Sequence, residues 1–258
     1  MKFRPCIDIH NGAVKQIVGS SVDGDNAVEN FISDKTADYY AAMYKADNLK
    51  GGHIILLNSS DSTYAQANVN AAKTALTAYP DGMQIGGGIN ADNALTWLEY
   101  GASHVIVTSY VFHDGDLDMD HLKILNGVVG KKRIVLDLSC KRYGDDYHIM
   151  TNRWQYKTDC IVNASLLDMM AEYCDEYLIH AVDVEGKNSG IDTELCKLLG
   201  EWSGIPITYA GGISNFGDID LIREYGNNRL DFTIGSSLDI FGGSLPYSDV
   251  VEYTDKFR

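Results

Sequence analysis

Eight short apolar runs, each followed by a longer amphipathic stretch, govern what this chain can fold into. The runs are residues 3–9, 53–57, 83–85, 104–107, 133–138, 177–181, 205–209 and 231–234. Most are continuous apolar stretches, the pattern of strands buried on both faces of a parallel sheet. The stretches 36–49, 64–79, 91–100, 118–129, 163–174, 192–202, 215–225 and 247–256 predict helices. In the fifth, Leu166, Leu167, Met170 and Cys174 form an apolar stripe at helical spacing, suited to packing on a sheet. Eight alternating units in 258 residues are the arithmetic of an α/β (β/α)8 TIM barrel, spanning residues 1–258 as one domain. A doubly wound open sheet is the alternative. Two connections exceed what such units need. Residues 11–35 are polar, with Asp23, Gly24, Asp25 and Asn26 as turn formers. Residues 141–158 alternate through Tyr147, Ile149, Trp154 and Tyr156 and predict a small hairpin. Both follow odd-numbered strands, at the end of a barrel where active sites sit.

The two halves of the chain echo each other. Asp8 ends the first strand and Asp137 the fifth. Gly87 and Gly88 follow the third strand, and Gly211 and Gly212 the seventh. Ser109 follows the fourth, and Gly235 and Ser236 the eighth. Asp8 and Asp137 stand 129 positions apart, Gly87 and Gly211 124, and Ser109 and Ser236 127, against a half-length of 129. A duplicated half-barrel with two-fold pseudosymmetry follows. A Gly-Gly turn lets backbone N–H groups approach a phosphate with no Cβ in the way, and the next helix aims its N-terminus at the same spot. One such turn is more often only a tight βα connection. Two copies, at strand pairs three/four and seven/eight, predict two phosphate sites across one barrel mouth and a ligand phosphorylated at both ends. Asp8 and Asp137 then face the centre of that mouth from opposite strands, where one carboxyl serves as base and the other as acid. The alternative use of either Asp alone is a helix cap or a structural ion pair.

Other residues carry weaker signals. The histidines, His10, His53, His104, His113, His121, His148 and His180, show no H-x-x-x-H or H-E-x-x-H spacing, so no metal site is predicted. His53 and His180 lie in strands and read as core or supporting residues. Cys140 follows Asp137 with no His partner in sequence to activate it. Trp154, in a polar loop, suits stacking on a heteroaromatic ring or packing of the hairpin on the barrel. The formal net charge of −15 argues against nucleic acid and anionic membranes as partners. Five cysteines without a C-x-x-C pair fit a reducing cytosol rather than a disulfide framework. The N-terminal MKFRPCIDIHNG lacks the apolar run of a signal peptide, and no stretch is long enough to span a bilayer. A cytoplasmic monomer is the expectation.

The phrases CIDIHNGAVKQIVG (6–19), IGGGIN (85–90), VIVTSYVF (105–112), IVLDLSCK (134–141), NRWQ (152–155), LIHAVDVEGKNSGID (178–192), YAGGIS (209–214) and IGSSLDIFGG (234–243) carry a resemblance over nearly the whole chain. It resembles the phosphoribosylformimino-5-aminoimidazole carboxamide ribotide isomerases of histidine biosynthesis, in their fungal and plant form. The resemblance implies a (β/α)8 barrel and a cofactor-free Amadori rearrangement of a bisphosphorylated aminoaldose to an aminoketose. It makes Asp8 the general base at C2′ of the opened sugar and Asp137 the general acid at the ring oxygen. It assigns Gly87, Gly88 and Ser109 to one phosphate, and Gly211, Gly212, Gly235 and Ser236 to the other. Trp154 matches the loop aromatic that stacks on substrate in some members. The bacterial pattern has a His-Thr pair where this chain reads His180-Ala181, an acidic residue after strand two where it reads Ile55-Leu56-Leu57-Asn58, and an Arg near Asn90. The cyclase of the same pathway shares the paired Asp, but Val14-Lys15-Gln16-Ile17-Val18-Gly19 fits the isomerase better. Two more functions compete with a dedicated isomerase: an isomerase that also accepts phosphoribosylanthranilate, and a barrel that binds sugar phosphates without turning them over.

Overall fold

Pro5 has no backbone N–H, so it interrupts the first apolar run. Phe3 is left as an isolated bridge, and the strand proper, β1, is Cys6–His10. The structure is a computed structural model that describes residues 1–17, 29–113, 115–185 and 190–256. The turn formers at 23–26, and the stretch 186–189 of the quoted motifs, lie outside the described residues. Seven further strands follow: β2 Gly52–Leu56, β3 Met83–Gly86, β4 Val105–Val107, β5 Ile134–Tyr143, β6 Glu176–Ala181, β7 Ile207–Ala210 and β8 Leu230–Thr233. Each pairs in parallel with the next. The ring closes between Phe3 and Phe232: Arg4 N–H donates to the Phe232 carbonyl (2.8 Å), and Phe232 N–H to that of Lys2 (3.0 Å). Sequential order with closure is a (β/α)8 barrel, and it rules out a doubly wound sheet, whose order reverses midway.

Among the described residues, eight α-helices lie between and after the strands: α1 Ala37–Ala46, α2 Ala65–Ala78, α3 Ala94–Glu99, α4 Met119–Val129, α5 Ala164–Ala171, α6 Thr193–Glu201, α7 Phe216–Tyr225 and α8 Tyr247–Asp255. Asp118, Asn163, Asp192 and Asn215 cap α4 to α7 at the positions where the pattern began, each side chain accepting from a first-turn N–H. Helix α3 starts late because Asn90 and Asn93 tie the preceding residues into a turn: Asn90 Oδ1 accepts from the N–H groups of Asp92 and Asn93.

Both long connections hold antiparallel strands. At Asn11-Gly12 the chain turns with φ of +53° and +78°, and Ala13–Ile17 folds back onto β1. It pairs in turn with Glu29–Ile32, so part of the loop expected at 11–35 is sheet. The hairpin predicted at 141–158 is present and extended. The end of β5 pairs with Asp146–Thr151, which pairs with Tyr156–Ile161.

Strand alternation divides the core in two. Outward residues such as Ile7, Ile9, Leu136 and Ile179 pack against the helices. Inward residues fill the barrel, where Ile106, Val135, Leu178 and Ala210, with Ile55 against them, form a separate apolar layer. Inward positions nearer the strand starts are polar. There Arg4 meets Asp231 (Nε to Oδ2, 2.7 Å) and Glu176 (3.2 Å), and Gln84 donates to Glu176 (2.7 Å). The apolar layer supports everything above it.

Candidate active site

In a closed parallel barrel all strand ends open on one face, so the last inward residue of each strand borders one mouth. Asp8, Asp137 and His180 are inward residues toward that face, and they line a cavity of about 320 Å³ with Trp154, Gly211, Gly212, Gly235 and Ser236. Gly87, Gly88 and Ser109 line a second cavity of about 180 Å³. Asp137 and Ile55 belong to both walls. The ten residues singled out in the sequence thus lie in two lobes that meet at Asp137, one lobe for each half-chain motif.

The lobes are rich in backbone donors. Among the described residues the N–H groups of Gly212, Gly235 and Ser236 in one lobe, and of Gly88 and Ser109 in the other, donate to no protein acceptor. Gly87 has φ +100°, and a Cβ there would strike the Leu56 carbonyl. Its counterpart Gly211 has φ +124°, and a Cβ would lie 2.9 Å from Glu185 Oε2. Only glycine fits either turn without strain. The expectation that helix N-termini supply donors needs correction. The entry to α7 is filled by its own Asp218, whose Oδ2 accepts from the N–H groups of Ser214 (2.8 Å) and Asn215 (3.2 Å). Helix α3 begins only at Ala94, behind the Asn90–Asn93 turn. Loop N–H groups are left to do the work.

The carboxyl groups sit in a coupled cluster. Gln16 Nε2 donates to Asp8 Oδ2 (3.1 Å), delivered there by the hairpin after β1. Burial, helped by Glu185, pushes the Asp8 carboxyl up to about 6, against the opposing pull of His180 and Gln16. Burial also raises Asp137, while His180 and the Thr108 hydroxyl, which donates to Oδ2 at 3.1 Å, work the other way. Glu185 is raised by burial too, with His180 opposing and Asp137 adding. His180 Nε2 lies 3.6 Å from Asp137 Oδ1. Asp137 Oδ1, His180 Nδ1, Glu185 Oε2 and Thr233 Oγ1 are buried without a hydrogen-bond partner among the described residues. Folded proteins leave few such atoms, and four in one wall mark a place built for a ligand.

Trp154 hangs over this cavity from the turn Asn152-Arg153-Trp154, whose φ values are +49°, +54° and +66°. Three successive non-glycine residues in the left-handed region store backbone strain. The indole N–H donates to Ser139 Oγ (2.9 Å), which holds the ring at the end of β5, and Arg153 lines the same wall.

Several site residues were missed in the sequence. His180 shares an inward face with Glu176 and Leu178, and of its two readings, core or supporting, the structure places it as the supporting one, beside Asp137. Ala181, where the bacterial Thr was sought, faces the helices instead. Glu185 and Gln16 had no periodic signal. Asn58, in place of the bacterial acid, is structural: its Oδ1 accepts from Asn11 N–H (2.8 Å) and from Asn68 (2.7 Å).

Fold and site together define a (β/α)8 barrel with a two-lobed cavity at the C-terminal face of its sheet and a carboxyl at the junction of the lobes. The chain belongs to the histidine biosynthesis protein family, which it matches over residues 2–241. Its relatives include a chloroplastic protein of Medicago truncatula, 52% identical over 98% of this chain and 81% of that one. A protein of Yarrowia lipolytica is 47% identical over 100% and 99%. One of Saccharomyces cerevisiae is 42% identical over 99% and 98%. All three are named 1-(5-phosphoribosyl)-5-((5-phosphoribosylamino)methylideneamino)imidazole-4-carboxamide isomerase. No helix among the described residues is long and apolar enough to cross a membrane.

Proposed function

We propose that the protein catalyses the reaction its relatives are named for, the isomerisation of a bisphosphorylated imidazole carboxamide aminoaldose to the aminoketose. The observation that carries the reading is the pair of donor-rich lobes joined at Asp137. A small molecule with a phosphate at each end spans both, and its reacting sugar lies between Asp8 and Asp137. Asp137, whose hold on a proton burial strengthens, donates to the ring oxygen and opens the ribose to a Schiff base. Asp8, as carboxylate, removes the C2′ proton, and the resulting enolamine tautomerises to the ketose. His180 beside Asp137 Oδ1 stabilises the carboxylate left after donation. Gly87, Gly88 and Ser109 hold one phosphate; Gly211, Gly212, Gly235 and Ser236 hold the other. Trp154 stacks on the heteroaromatic ring.

Steady-state turnover of the purified protein on the bisphosphate, without added metal or cofactor, tests this, with phosphoribosylanthranilate alongside. Turnover of the first substrate alone is expected. Turnover of both makes the enzyme dual-specific, and turnover of neither by folded protein rejects the assignment.

Two further results are expected. Ser236→Ala keeps the backbone N–H and loses one hydroxyl against a charged oxygen, so KM should rise about tenfold with kcat within about twofold. A fall in kcat instead would move Ser236 out of the phosphate lobe. Turnover should also drop about tenfold per pH unit below about 6, as Asp8 becomes protonated. The residual activity of Asp8→Asn should lack that acid limb. A limb that persists in the variant belongs to the substrate phosphates.

A further inference from the structure

Cys6 and Asp8 are two apart on β1, so both side chains face the barrel interior. His53 is the register partner of Cys6 on β2 and faces the same way. All three line the open cavity. One donor atom from each, the Cys6 Sγ, an Asp8 oxygen and an imidazole nitrogen of His53, lies within 4.8 Å of the others. We propose that Cys6, Asp8 and His53 bind a thiophilic divalent cation, Zn²⁺ above all, which shuts the enzyme off by occupying Asp8. The inference rests on Asp8 being the base of the reaction proposed above.

Donor chemistry favours zinc. Thiolate, imidazole and carboxylate are its usual ligands, and a tetrahedral ion at ordinary bond lengths spaces them about 3.5 Å apart. Closing from the present geometry takes side-chain rotation of about an ångström. The His53 ring makes no hydrogen bond to another described residue, so a ring nitrogen is open to a ligand from the cavity. Gln16 already holds Asp8 Oδ2, which leaves Oδ1 for the ion and orients the carboxylate. Glu185 acts electrostatically on both Cys6 and Asp8 and adds negative charge around the site. The thiol gives up a long contact, 3.6 Å to the Ile234 carbonyl, and its interactions with the Thr233 and Gln16 side chains. On binding, the S–H bond is replaced by S–Zn and the proton leaves to solvent. The fourth position faces the cavity and takes water. The histidine-spacing rule missed this set because its ligands come from two strands.

Co²⁺ titration of the whole protein in phosphate-free buffer tests the site, together with Zn²⁺ inhibition of turnover. One equivalent of Co²⁺ should give a thiolate-to-cobalt charge-transfer band, abolished in Cys6→Ser. Zn²⁺ should inhibit competitively with substrate. The concentration for half inhibition should rise at least about tenfold in Cys6→Ser and in His53→Asn, two variants that each test the site if the other misfolds. Absence of the band, or a band that survives Cys6→Ser, overturns the metal site and leaves the proposed reaction standing. A Cys6-dependent band without inhibition keeps the metal site and overturns Asp8 as base.

Discussion

Replacing either Asp8 or Asp137 with Asn should lower kcat by at least about 10²-fold while KM changes little. The amide keeps the shape of the carboxyl and its hydrogen bonds to Gln16 or Thr108, but it cannot carry a proton. The same change should make the protein more resistant to heat. Asp8 has its folded-state pKa raised from 3.8 to about 6, so its ionised form at neutral pH costs about 2–3 kcal/mol of stability. The sign follows from linkage: the folded state holds this proton more tightly, so stability falls as pH rises from about 4 to about 6. Asp8→Asn removes the charge and with it most of that penalty. Lost turnover with a raised melting temperature is the signature of a group held for chemistry at the expense of stability. Near-normal turnover in both variants would sink the acid–base pair. Lost turnover with a sharply lowered melting temperature would make these residues structural.

The barrel was legible because strands buried on both faces leave continuous apolar runs, and because Asp118, Asn163, Asp192 and Asn215 mark helix starts by a local bond that needs no tertiary context. The glycine pairs and the two Asp were legible because the half-chain repeat singled them out. Asn11-Gly12 was a readable turn signal, masked by the polar Lys15 and Gln16 in the strand that follows. Missing that hairpin meant missing Gln16, the side chain that holds Asp8. His180 needed strand ends to be known, since an inward residue lies at the mouth or in the core depending on how far its strand runs. Glu185 sits after β6, where no periodicity operates. The left-handed run at 152–154 has no glycine to announce it, since its conformation is imposed by tertiary structure through the Trp154–Ser139 bond.

At the opposite end of the barrel, Arg4→Ala should destabilise the protein by about 3–5 kcal/mol. Arg4 is only 6% exposed and reaches two carboxylates from inside the ring. Burial works to lower its pKa, and the charges of Glu176 and Asp231 more than offset that. Asp231 also accepts from the Lys2 N–H (2.7 Å), beside the Phe3–Phe232 bridge that closes the barrel. Without the guanidinium, Glu176 and Asp231 stay behind as like charges in a largely buried layer, with Gln84 as the only other side chain that donates to Glu176 among the described residues. The cost comes from those stranded charges more than from the lost attraction, so Arg4→Met in a background carrying Glu176→Gln and Asp231→Asn should recover most of the stability. Urea unfolding separates the cases. A midpoint that falls in Arg4→Ala at constant slope and returns in the triple variant fits the stranded-charge account. A triple variant as unstable as Arg4→Ala would mean that Arg4 acts by filling the base of the barrel. Because the apolar layer of Ile106, Val135, Leu178 and Ala210 separates Arg4 from Asp137, kcat of the surviving folded enzyme should be unchanged.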